Sequence, residues 1–134
     1  MREILFRGKR YSDGEWVEGS LLAWPDGSTE MCYDNPESDD ESLKSIVYPE
    51  TVGQYTGLTD KNGKKIFEGD IVRTYRNEET FDLMTVAWNE DSASFVLAPQ
   101  KRFRYYESLM NSHIYLEVIG TIHDNPEFLE VPHE

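Results

Sequence analysis

The residues with which this chain could do chemistry are three histidines, one cysteine, a run of acids and a short basic stretch. His113, His123 and His133 have no second His or Cys at the spacing a metal site needs, so they read as structural or solvent-facing residues. Cys32, the single cysteine, excludes an intramolecular disulfide and fits a reducing compartment. It has no visible partner base to make it a nucleophile and is expected to be a small core residue. The acidic run from Asp34 to Glu41 lacks the D-x-[DN]-x-[DN]-G calcium pattern and its closing glutamate. Such carboxylates can mimic phosphates on a basic surface, but a solvated loop is the plainer reading and the expected one. No Ser-His-Asp or Cys-His arrangement follows from order or context. No catalytic residue, cofactor or metal is expected, and the chain reads as non-enzymatic.

Two candidate interaction surfaces remain. Lys101, Arg102, Phe103, Arg104 and Tyr105 interleave cations with rings, which is what stacking on single-stranded nucleic acid requires. Trp16, Leu22 and Trp24 share one parity while Val17, Leu21 and Ala23 share the other, so a strand there is apolar on both faces. Trp16, Leu21, Leu22 and Trp24 are therefore the candidate self-association surface.

The elements that must position these residues are short strands joined by tight turns. Residues 2–24 form a hairpin about Ser12-Asp13-Gly14, because Asp caps its own backbone and Gly accepts positive φ. Pro25-Asp26-Gly27 turns the chain into a third strand over Thr29–Tyr33, and residues 34–45 are expected to be a loop. Gln54–Tyr75 reads as strand, turn at Asp60–Gly63, short strand, turn at Glu68–Asp70, strand. Lys61, Lys64 and Lys65 around the first turn guard a sheet edge. The glycines at 53, 57, 63 and 69 are too scattered to cradle a nucleotide. Met84, Val86 and Trp88 alternate along a half-buried strand, and Asn89–Ser92 connects it to a return strand over 95–98. Tyr106, Leu109 and Met110 have helical spacing. Ile114, Leu116, Val118 and Ile122 share a face of the last strand, where Gly120 predicts a bulge. Asp124 or Asn125 caps a short C-terminal helix that begins at Pro126.

The chain's 134 residues suffice for one domain with a core of its own. The net charge of −13, from 26 acids against 13 bases, repels phosphate backbones and argues against a general DNA-binding role, while it permits basic partners. The N-terminal MREILFRGKR carries charges at 2, 3 and 7 and offers no secretory apolar core. No apolar run is long enough to span a membrane, so no membrane association is expected.

Three blocks resemble the YopX family of bacteriophages and prophages: MREILFRGKR with DGEWVEGSL, then PETVGQYTGLTDKNGKKIFEGDIV at 49–72, then EVIGTIHDNPEFL at 117–129. Thr121 and Phe128 stand where Asn and Leu are commoner. The resemblance implies an SH3-like β-barrel with additions and an oligomer in the cytoplasm of a bacterial host. It carries over no functional residue. The expected architecture is mainly β: an N-terminal hairpin region with its acidic loop (1–48), then a barrel with a short C-terminal helix (49–134), in one compact unit. The expected role is that of a phage accessory protein working through protein–protein contacts, with itself or with a host or phage protein. The alternative is nucleic-acid binding through residues 101–106, which the net charge disfavours.

Overall fold

The computed structural model describes residues 3–38, 41–75, 77–99, 107–109 and 115–129. The architecture is mainly β, with two antiparallel sheets. By its contacts the chain divides into two compact units, Met1–Tyr55 and Thr56–Glu134. The division expected after residue 48 lies further on, because Gly53 and Gln54 pair with the first strand.

The first unit builds its sheet from β1 (Phe6–Lys9), β2 (Trp16–Ala23), β3 (Thr29–Asp34), β4 (Ser42–Ile46) and the start of β5 (Gly53–Thr59), in the order β4-β3-β2-β1-β5. The β1–β2 pairing runs from Phe6↔Gly19 to Lys9↔Trp16. The β2–β3 hairpin turns at Pro25–Gly27, where Asp26 Oδ1 accepts the Ser28 N–H at 2.9 Å. Gly19 is needed where it stands, because a Cβ there would strike the Cys32 carbonyl oxygen. The chain after β4 also returns to the end of β1: Arg10 and Val47 form an antiparallel bridge. Beside it Tyr11 N–H donates to Ile46 O at 2.8 Å and Tyr48 N–H to Lys9 O at 2.9 Å. Val17, Met31 and Val47 are buried as this unit's core, with Phe6, Leu21, Tyr33 and Val52 packed against it.

Two expectations are corrected here. Residues 34–45 are not one loop: β3 runs through Asp34 and β4 begins at Ser42. The pairing Tyr33↔Leu43 and Asp34↔Ser42 satisfies backbone groups that a loop would leave to water. Cys32 is half-buried, on the face of β3 opposite the buried Met31, and is not a core residue.

The second unit continues from β5 into β6 (Lys65–Phe67), β7 (Asp70–Tyr75), β8 (Phe81–Asn89), β9 (Ser94–Pro99), β10 (Glu107–Ser108) and β11 (Leu116–Thr121). β6 adds to β5, and the other strands form an open sheet in the order β10-β9-β8-β7-β11. Among the described residues this hydrogen bonding closes no barrel. Ile66, Val72, Met84, Val86, Leu97, Leu109, Leu116 and Val118 form the core. Each such side chain contributes about 1.5–3 kcal/mol by leaving water.

The 54–75 segment folds as its turn residues dictate. Gly63 sits at φ +80°, a conformation a side chain would strain. The expected bulge is present, as the β11–β7 register shifts between Val118 and Gly120. It has a consequence the period-2 reading missed: the inserted residue reverses parity, so Thr121 is buried and Ile122 is exposed. A Cβ on Gly120 would collide with the Asn125 side chain, which lies against it and accepts the Thr121 N–H at 3.2 Å. The expected C-terminal helix is a single 3₁₀ turn, Pro126–Leu129. Trp88 is half exposed and packs edge-on against Phe95, with ring centroids 5.1 Å apart.

Candidate functional site

The residues picked out on β2 separate once the strand is built. Leu21 stands opposite Met31 and packs on the first unit's core. Leu22 and Trp24 point the other way. Leu22 pairs with Glu30, and Glu30 with Ile46, so the three stand in one cross-strand row. Trp24 is 50% exposed and Ile46 57% exposed, and the Trp24 indole N–H reaches Glu30 Oε1 at 3.2 Å. Tyr11, also exposed, stacks at a tilt on Tyr48 with centroids 5.0 Å apart, next to its backbone bond to Ile46. Leu22, Trp24 and Ile46 thus share one sheet face, with the Glu30 carboxylate between Leu22 and Ile46.

Trp16 takes a third position. The Arg7 guanidinium lies 4.9 Å and the Lys9 ammonium 5.4 Å from its ring centroid, consistent with Lys9 being its cross-strand partner. Trp16 also forms part of a groove of about 580 Å³, open to solvent, with Val17, Tyr33 and Leu43 among its apolar lining. Asp34, Pro36 and Glu37 also line it. The 34–37 loop is shaped by Asn35, whose Oδ1 accepts the Glu37 N–H at 3.0 Å while its own N–H donates to Glu41 O at 3.2 Å.

Arg10 and Tyr33, also in the lining, belong to a polar network. Arg10 grips Asp13 through two bonds, Nη2 to Oδ2 at 2.6 Å and Nε to Oδ1 at 3.0 Å. Its Nη1 donates to the Tyr33 hydroxyl at 3.3 Å, and that hydroxyl lies 2.6 Å from Ser45 Oγ. The hydrogen bond to Ser45 and then the one to Arg10 hold the Tyr33 phenol below its ordinary value, against the opposing effect of burial. The Asp13 carboxyl is likewise lowered, first by the Arg10 bonds and then by the Glu15 N–H. Sequence reasoning found the Asp13 turn but not this network. Only the turn-spanning Arg10–Asp13 pair was open to discovery, from its i, i+3 spacing.

The other chemistry-bearing residues serve the fold. Asp60 is buried, and its carboxylate accepts the N–H groups of Asn62, Lys64 and Val118, each at 2.9 Å. Asp70 is fully buried and accepts the Phe67 N–H at 2.7 Å. Lys61 approaches Glu117 at 4.0 Å and lies 4.2 Å from the Tyr75 ring centroid. Among the described residues no three His, Cys, Asp or Glu side chains are grouped to hold a metal ion. The candidate surface at Lys101, Arg102, Phe103, Arg104 and Tyr105 lies outside the described residues, as do His113 and His133. Among the described residues no helix is long and apolar enough to cross a membrane.

The fold is of the mainly β class, and in the second unit the turns at Asp60 and Asp70 are held by buried carboxylates. The chain belongs to the YopX family: the family model described as YopX protein matches residues 5–130. It is also similar to a solved structure, that of protein EF1440 from Enterococcus faecalis, at 25% identity and a TM-score of 0.56, over 97% of this chain and 100% of that one. No curated protein matches.

Proposed function

We propose that this protein is a non-enzymatic accessory protein of a phage or prophage, which acts in the host cytoplasm through protein–protein contacts and associates with copies of itself. The observation that supports this reading is the cross-strand row of Leu22, Glu30 and Ile46 with Trp24 beside it. Exposed apolar residues scattered singly are ordinary, but several on one sheet face around a single carboxylate are what interfaces use. The strand, turn, short strand, turn, strand order of residues 53–75 supports an SH3-like reading of the second unit. Light scattering on the eluting peak at micromolar concentration tests the association. The expected result is an oligomer that Trp24→Glu with Ile46→Glu reduces to a monomer. A wild-type chain that runs as a strict monomer defeats the self-association reading.

A further inference from the structure

We infer that the groove between Trp16 and the 34–37 loop is a docking site for a basic peptide segment of a partner protein. Its apolar lining of Val17, Tyr33, Leu43 and Pro36 suits the aliphatic stems of lysine or arginine. Charge decides the occupant. The Arg10 charge is matched by its two bonds to Asp13. In the same lining Asp34 and Glu37 are exposed and, among the described residues, neither forms an ion pair. Arg7 and Lys9 lie over Trp16, with Glu18 opposite Arg7, so cations gather beside Trp16 while the carboxylates of the groove lining stand on the 34–37 segment. A basic head group therefore sits at Asp34 and Glu37 with its stem along Leu43 toward Trp16. The net charge of −13 draws such a segment in from a distance. This site uses different residues from the Leu22–Trp24–Ile46 surface and stands or falls separately.

Trp16 supplies the readout. In a full-length chain carrying Trp24→Phe and Trp88→Phe it is the single tryptophan. Titration with a short peptide of alternating Lys and Ala is expected to shift its fluorescence saturably, and the Glu/Ala counterpart to leave it unchanged. Asp34→Asn with Glu37→Gln weakens binding roughly fivefold, the worth of two exposed ion pairs. Glu90→Gln with Asp91→Asn, which removes the same charge from an exposed turn elsewhere, leaves binding unchanged. Circular dichroism checks that each variant folds, and Glu37→Lys, which reverses one groove charge, is expected to weaken binding as well. Equal weakening by the two double variants reduces the effect to net charge and overturns the site. So does a Lys/Ala peptide that leaves Trp16 silent, or a Glu/Ala peptide that binds as well.

Discussion

Among single residues, Asp60 carries the most. Its carboxylate takes three backbone donors in a buried position, one of them on β11. Asp60→Ala leaves those amides without an acceptor and is expected to cost about 2–4 kcal/mol, read as a lower denaturant midpoint at unchanged slope. An unchanged midpoint would mean that water replaces the carboxylate. Asp13 offers a pH test. Its pKa is lowered in the folded chain by Arg10 and the Glu15 N–H. The unfolded chain therefore binds the proton more readily. The contribution is present above the ordinary carboxyl value and is lost as pH falls through the lowered one. The stability gap between wild type and Asp13→Asn should thus be steady at neutral pH and shrink below about pH 4, the ordinary aspartate range. A gap that stays constant into strong acid contradicts the Arg10–Asp13 assignment.

Among the elements, β5 to β7 were legible in the sequence and β4 was not. Gln54–Tyr75 announces itself through Asp60-Lys61-Asn62-Gly63 and Glu68-Gly69-Asp70, because turn chemistry is local and needs only its own residues. Ser42–Ile46 has one inward apolar residue, Leu43, flanked by serines and a lysine, and forms a strand because β3 offers it a ladder. Such pairing is invisible to a reading of one segment at a time. The same limit hid the Arg10–Tyr33–Ser45 chain and the groove, which bring Arg10 together with residues of β2, β3 and β4. The two-faced character of β2 was legible, but not which face would be covered. The β8–β9 turn stores a small strain, with Ala93 at φ 51°. Ala93→Gly should raise stability by about 0.5–1 kcal/mol, the left-handed penalty less the entropy of glycine, as a shift in thermal midpoint. A lower midpoint would show that the methyl group matters more than the backbone.

For the whole molecule, charge sets two surfaces against each other. Copies carrying −13 repel one another, and apolar contact between sheet faces works against that repulsion. Added salt screens the repulsion and should strengthen self-association. The same salt should weaken a Lys/Ala peptide in the groove. Light scattering and Trp16 fluorescence along one salt series measure both, and responses of the same sign would show that a single charge effect governs them.

The Asp60 turn has a consequence beyond stability. β11 ends its sheet, and two groups on its outer side are taken by neighbours from that turn: Asp60 holds the Val118 amide, and the Lys61 N–H holds the Leu116 carbonyl at 3.1 Å. A side chain and one peptide group thus occupy the place of a missing strand. Without them β11 becomes a template on which a neighbouring molecule can add its own backbone, rung by rung. Asp60→Ala should then form fibres that bind thioflavin under conditions where the wild-type chain stays dissolved.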